Sequence, residues 1–326
     1  MAIASNTSLT YGAVAIREDL SDVIYNIAPM DTPFMSGCSK TTADNTFFEW
    51  QTDSITAGAA NRKIEGDDNI GADARVLPTR LGNYTQISQY VNQTSGTDQV
   101  MNYAGHGKNQ AYQLAKNGKR MKRDMESMLT QNIVRAAGDA TEARATAGIP
   151  AWINTAHVAG GSGGSASAGS IGTTAMVNNT STAAASEANI KATIKECYDA
   201  GGSPDMMLVP SNVKQTISAL SQSVSELRTA ANKEAPASVV AAVDIYVSDF
   251  GTFKIVPDRN LAADGPGSVA ANIFFLDMDY WAIAWLRPFN TVDLAKTGDS
   301  VKQLLVAEYG LVSKNEASSG ILASVS

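Results

Sequence analysis

The sequence predicts an α+β protein: an extended arm, a long two-stranded loop, one long helix, an inserted α/β domain and a closing layer of strands. Three features carry that expectation. Two runs rich in aromatic and β-branched residues, FFEWQTDSI and NYTQISQYVNQT, flank a polar, glycine-containing stretch that is too long for a turn and too poor in apolar residues for a core. Small or apolar residues recur at spacings of three and four from Val100 through Ala104, Gly107, Ala111, Leu114, Gly118, Met121, Met125 and Met128, which marks one helical stripe. The last quarter returns to strand patterns, with AAVDIYVSD and TFKIVPD meeting around Gly251 as a hairpin.

Residues 1–45 read as the arm, because short apolar pieces alternate with turn formers and Pro29 and Pro33 each bias the preceding residue away from helix. Residues 46–95 read as the extended loop, its two strands facing each other. Thr97 is the candidate N-cap of the helix, which is expected to run to about Ala137 with Gly138 just past its end. At about 1.5 Å per residue that helix would be roughly 60 Å long, more than a compact domain needs, so it reads as a structural spine within 96–147. Gly105, Gly107 and Gly118 each cost up to about 1 kcal/mol relative to Ala, which calls for support from packing or for a bend. The basic run KNGKRMKRDMESM reads as a solvated face, since Arg120 with Asp124 and Lys122 with Glu126 stand four apart and can pair.

The α/β domain is expected at 148–236. It opens on GIPAWINT and a flexible Gly/Ser stretch, AGGSGGSASAGSIG. Ser186 then caps a helix carrying Ile190, Ile194 and Cys197, closed by Gly201 and Gly202. MMLV follows as a buried strand, and Ser211 starts a second helix with Val213, Ile217 and Leu220 on one face. Residues 237–326 complete the strand layer, with the spine helix as the partner it packs on.

The chain has 326 residues, enough for about two domains, and 44% of them are hydrophobic. Charged residues are only 17%, against roughly 25% in an average soluble domain, so its surface is rich in Ala, Ser, Thr, Asn, Gln and Gly and offers little repulsion between like copies. A net charge of −7 argues against a protein that grips nucleic acid by neutralising phosphates. The N-terminus lacks the basic start and apolar stretch of a signal peptide, and the most apolar window, ANIFFLDMDYWAIAW, is broken by Asp277 and Asp279, so no membrane partner is expected. Cys38 and Cys197 are isolated and read as buried thiols of a reducing compartment, which makes the sequons at Asn6, Asn92, Asn178 and Asn179 chance matches.

A search for chemistry yields no catalytic, cofactor or metal residues. His106 and His157 sit among small residues without a Cys, Asp or Glu at ligand spacing. Gly105-His106-Gly107-Lys108 lies in a helical pattern and lacks the spacing of a phosphate cradle. Asp249-Phe250-Gly251 spells a kinase triplet without its companions and falls at a hairpin reversal. Asp277 and Asp279 are placed on one strand face by alternation, where they could hold a cation. No cofactor and no enzymatic activity are expected.

A projecting two-stranded loop, a spine helix, an inserted α/β domain and a closing β-layer together resemble the Hong Kong 97-like fold of tailed-phage capsids. More narrowly, the chain resembles one group of phage major head proteins through NIAPMDTPFMS, FFEWQTDSI, GIPAWINT, GGSPDMMLVPSNVKQTISAL and the ending LRPFNTVDLAKTGDSVKQLLVAEYGLVSKNEASSGIL, segments that span nearly the whole chain. The resemblance implies a subunit that forms hexamers and pentamers in an icosahedral shell around packaged double-stranded DNA, contacted non-specifically. It also implies portal, scaffolding and cement proteins as partners, and assembly in the cytoplasm of a bacterial host. By that analogy 96–147 and 237–326 make up the peripheral domain and 148–236 is the axial domain. Some members cross-link a Lys to an Asn, and Lys63 is a candidate only by residue type. Within the loop, Arg62, Lys63, Glu65, Asp67 and Asp68 supply both signs of charge, as contacts to an identical neighbour require. The alternatives are an encapsulin-like nanocompartment shell, which neighbouring genes would distinguish, and a soluble carbohydrate-binding module or enzyme, which would run as a compact monomer.

Overall fold

The computed structural model describes residues 31–323 apart from 56–57, 59, 61, 63, 67–74, 104, 160–170, 178–185, 223–243 and 262–271. Most of the arm, the Gly/Ser stretch and the connector before the hairpin therefore lie outside the described residues.

The chain enters through helix α1 (Pro33–Gly37), where the fixed φ of a proline in the first turn suits helix initiation. Strand β1 (Ser39–Thr42) follows, then β2 (Phe47–Thr52), β3 (Thr79–Tyr84) and β4 (Gln86–Ser95). Strands β2 and β3 pair antiparallel from Phe47 opposite Tyr84 to Thr52 opposite Thr79, which forms the base of the expected hairpin. The second strand does not continue in that hairpin. It divides at Thr85, and β4 instead runs antiparallel to β11 (Ser300–Ser313), from Ser95 opposite Ser300 to Gln86 opposite Tyr309. Burial decides the exchange. Asn92 and Thr94 on one face of β4 are buried and Tyr90 packs against the core, so residues 86–95 belong to the body of the protein and not to the projection.

The expected spine helix is shorter than its stripe. Ser95 caps α2 (Gly96–Val100), its hydroxyl accepting from the Asp98 amide at 3.2 Å. The chain leaves the helix at Met101 and re-enters in α3 (Asn109–Thr130), so a helix of about 33 Å replaces one of roughly 60 Å. Gly105 adopts φ +83, a left-handed conformation that L side chains resist, and Asp98 spans the break by accepting from Tyr103 and, at 2.8 Å, from Asn109 Nδ2. Gly138 sits in a later turn, beyond the helix end at Thr130. Within α3 part of the stripe is real: Met121 and Met125 are fully buried, but Ala111 is exposed, Met128 is half-buried, and Leu129, which the stripe did not include, takes the next buried place.

One expected ion pair fails for the same reason of facing. Arg120 does approach Asp124, at 3.9 Å, and lies over the Tyr90 ring at 4.5 Å. Glu126, by contrast, points inward, fully buried, and its two oxygens accept from the backbone amides of Phe34 and Met35 at 2.7 Å each. Lys122 is exposed. A pairing inferred from spacing alone cannot tell which side of a helix is wet.

Past α3 come α4 (Ile149–Trp152), β5 (Ala156–Ala159), α5 (Glu187–Asp199), β6 (Met206–Val209) and α6 (Ser211–Gln222). Ser186 caps α5 as expected, accepting from Asn189 at 3.2 Å, and Ile190, Ile194 and Cys197 are buried. The hairpin is β7 (Ile245–Ser248) and β8 (Gly251–Pro257), followed by β9 (Ile273–Leu276), β10 (Trp281–Asp293), β11 and β12 (Gly320–Ala323).

These strands form two main sheets. The first has the order β1-β10-β11-β4, and the second β5-β12-β9-β6-β8-β7. The expected division at residue 236 is thus corrected. Strands β7, β8, β9 and β12, placed by sequence in the 237–326 layer, complete the sheet around β6. The wholly apolar runs show why. Met207 and Val209 of β6, with Ile273 and Phe275 of β9, enter the core under α5 and α6, whereas Met206, Leu208, Phe274 and Leu276 enter the core shared with α3 and the first sheet. A sheet covered on both faces needs continuous hydrophobic strands, and these runs supply them.

Candidate functional site: the root and tip of the projecting hairpin

The hairpin joins the body through β2 and β3. Phe48 packs where a side chain on Gly310 of β11 would stand: a Cβ there would lie 2.5 Å from the Phe48 ring, so glycine is what permits the approach. Trp50 donates Nε1 to the Ser313 carbonyl at 2.8 Å and tilts against Trp152, ring centroids 5.3 Å apart. Asn83, fully buried, donates Nδ2 to Leu311 O at 2.7 Å and to Thr146 Oγ1 at 2.9 Å, and accepts on Oδ1 from the Ala147 amide at 3.1 Å. A buried amide with every contact made in one arrangement fixes the angle at which the hairpin departs.

Beside it stands a charged cluster. The Glu308 carboxylate is buried in β11 and accepts from Arg144 at 2.6 Å, Arg287 at 2.8 Å and the Thr85 hydroxyl at 2.8 Å. Thr85 is the residue at which the hairpin strand hands over to β4, so the network clamps the hinge point. Arg135 adds a hydrogen bond to the Gly82 carbonyl and lies over the Phe47 ring at 5.7 Å.

Beyond Thr52 and before Thr79 the chemistry inverts. Ile55, Ile64 and Leu77 are 99%, 82% and 77% exposed, and Val76 is exposed as well. Of the residues expected to make assembly contacts, Arg62 and Glu65 are described and exposed on this projection, while Lys63, Asp67 and Asp68 lie outside the described residues. Among the described residues of 53–78, these apolar side chains are left in solvent.

The positions considered for other chemistry have structural settings. His106 lies between the rings of Tyr103 and Tyr112, at 4.8 and 4.5 Å, with Nδ1 at 3.0 Å from the Gly107 carbonyl. The His157 side chain lies outside the described residues. Asp277 and Asp279 do not share a strand face: Asp277 is the buried N-cap of a single 3-10 turn, accepting from the Asp279 amide at 3.3 Å, and Asp279 is exposed. Phe250 of the DFG triplet packs tilted against Tyr198, ring centroids 4.7 Å apart. Burial raises the proton affinity of both thiols, Cys197 to about 12. Among the described residues no three His, Cys, Asp or Glu side chains gather to hold a metal, and no helix is long and apolar enough to cross a membrane.

Sequence reasoning missed the Asn83 and Glu308 clusters. The signal was a single acid inside the apolar run LLVAEYGLV, which must be compensated if the strand is buried.

Two packed sheets, with a helix across one of them and a paired hairpin base beside the first, make the Hong Kong 97-type capsid fold. Solved structures share it: a chain from the Cyanophage A-1(L) capsid asymmetric unit superposes with a TM-score of 0.65 at 12% identity, covering 95% of this chain and 97% of that one. A chain from Mycobacterium phage Adephagia superposes at 0.62 with 12% identity over 98% of both chains. The curated major capsid protein of Escherichia phage Phieco32 is 27% identical, covering 91% of this chain and 90% of its own length. The SU10 major capsid protein family model matches residues 3–326, and the chain belongs to that family. It is a phage major capsid protein, a virion component that assembles with copies of itself into an icosahedral shell.

Proposed function

We propose that this subunit forms the hexamers and pentamers of a phage head around packaged double-stranded DNA, gripping its neighbours through the distal hairpin at about 53–78. The observation that carries the reading is the contrast along one hairpin, between a root pinned by Asn83, Glu308 and Trp50 and a tip that leaves Ile55, Ile64 and Leu77 in water. In this reading Arg62, Lys63, Glu65, Asp67 and Asp68 flank the apolar contacts and set their register against an identical partner. The first sheet with α3 is the peripheral domain, and the second sheet with α5 and α6 is the axial domain near the capsomer centre. Portal, scaffolding and cement proteins are the further partners, assembly takes place in the host cytoplasm, and the subunit catalyses no reaction. A wall that retains DNA by closure can be acidic overall, because strong affinity for phosphates would hinder packaging and release.

Replacing residues 54–77 by a short Gly/Ser linker tests the contact. The expected product is a folded, soluble subunit with an unchanged circular dichroism spectrum that forms no closed shells by negative-stain microscopy. Should the deletion misfold, the triple substitution of Ile55, Ile64 and Leu77 by Ser gives the same reading with the hairpin intact. Normal particles from either folded variant refute the assignment.

A further inference from the structure

The first sheet ends on one side in β4, whose one strand neighbour among the described residues is β11. Its sequence, QISQYVNQTS, holds no charged residue, no proline and no glycine, and its register with β11 runs from Ser95 to Gln86 without a bulge. Charges, prolines, bulges and short length are the devices that keep a bare sheet edge from pairing with another strand. The other edge strands of the two main sheets use at least one of them: β1, β5 and β7 have four residues each, and β1 carries Lys40. At about 3.4 Å per residue, β4 offers roughly 34 Å of unprotected edge.

The two faces of β4 differ. Tyr90 hydrogen-bonds to Asp124 of α3, and Asn92 and Thr94 bond to Gln110 of the same helix at 3.2 and 2.6 Å. The alternate residues Ile87, Gln89, Val91 and Gln93 face away from that helix, and Ile87 and Val91 are 44% and 53% exposed. Leu304 stands opposite Val91, and Val292 opposite Leu304. Directly opposed residues share a face, so these three side chains form an apolar row that stops at the edge of the sheet.

We propose that β4 pairs antiparallel with β4 of a second copy about a two-fold axis at Gln89, joining two four-stranded sheets into one of eight strands. The chain assembles with copies of itself, and this edge is complementary to itself. A two-fold perpendicular to the sheet keeps α3 of both copies on one face, so the set Ile87, Gln89 and Val91 meets the same set of the other strand. The register is decided by those residues. With Gln89 opposite Gln89, Ile87 falls opposite Val91 in both directions; on the other face Ser88 falls opposite Tyr90, and Gln86 opposite Asn92. Moving the axis to Ser88 or Tyr90 sets both Ile87 and Val91 against polar residues. The apolar row of Val292, Leu304 and Val91 then runs on into Ile87 of the second copy. The paired strands bring no like charges together, although each subunit carries −7.

Single cysteines in the otherwise intact chain test the register, against a wild type whose Cys38 and Cys197 are buried and should form no cross-link. In oxidised particles Gln89→Cys should give a reducible band at twice the subunit mass, because opposed residues of antiparallel strands hold their Cα atoms about 4.5–5.5 Å apart. Ile87→Cys and Val91→Cys should each give no such band alone, standing roughly 14 Å from their own counterparts, and should give it when the two chains are co-assembled. Hydrogen exchange of wild-type particles needs no substitution: the peptide covering residues 86–95 should exchange more slowly than in the isolated subunit. Unchanged exchange there overturns the pairing. Protection without the Gln89 link, or a link from I87C or V91C alone, overturns it too and gives the edge to another segment or another register. Residues 53–78 take no part in these readouts, so their outcome is separable from that of the proposed hairpin contact.

Discussion

At the scale of single residues, the molecule shows how a buried charge is made tolerable in two different ways. Glu308 is compensated by ions: its side chain is 4% exposed, and Arg144 and Arg287, 25% and 52% exposed, bring two guanidiniums to one carboxylate. Removing the carboxylate strands Arg144 in a partly buried site, and breaking such a pair costs about 3 kcal/mol when one partner stays behind. Glu308→Gln keeps the volume but turns an NH2 group toward a guanidinium, so it should lower the melting temperature by roughly 4–5 °C. Differential scanning calorimetry of the unassembled subunit decides it, and an unchanged transition would show that the network orients the hairpin without stabilising the fold. Glu126, which pairs with no cation among the described residues, accepts from two backbone amides, and burial raises its proton affinity. The sequence shows both acids inside apolar or amphipathic patterns, yet only three-dimensional partners separate the ion-paired case from the amide-bonded one.

At the scale of elements, helix α3 carries a residue that its own fold does not explain. Gly118 lies mid-helix and half-buried, and a Cβ built there meets nothing within 4 Å. Gly118→Ala should therefore stabilise the isolated subunit by about 0.5–1 kcal/mol, seen as an upward shift of the urea midpoint at unchanged slope. A downward shift would mean that the helix bends there. The helical period was legible from Leu114 to Met125 because Leu114, Met121 and Met125 meet a core, whereas at the helix end Leu129 is buried in place of the expected Met128. It was not legible before Asn109, where small residues keep the spacing but Gly105 and the Asp98 bonds end the helix. Strand β4 was found as a strand and given the wrong partner, since alternation reports a buried face without saying what covers it. By contrast Ser186 had a local cause that sequence carries in full, a side chain bonding the amide three residues on.

At the scale of the whole molecule, the order of the pieces was readable and the ownership of the strands was not. MMLV and IFFL announce strands buried on both faces, but β12 closes their sheet from the far end of the chain, a connection no local pattern encodes. What drives copies together can be argued from the same totals. Each subunit carries −7, so neighbours repel on average, and only 17% of residues are charged, so few ion pairs are available to offset that. The described residues between Thr52 and Thr79 meanwhile include Ile55, Ile64, Val76 and Leu77, all exposed. If apolar contacts hold the shell, added salt should help it, since the screening length shrinks from roughly 14 Å at 50 mM to about 4 Å at 500 mM while burial of apolar area is unimpaired. The threshold protein concentration for particle formation, read by light scattering, should then fall several-fold between 50 and 500 mM NaCl, and further when sulfate replaces chloride at equal ionic strength. A threshold that rises with salt would instead assign the contact to Arg62, Glu65 and their charged neighbours, because attraction between opposite charges is what screening removes.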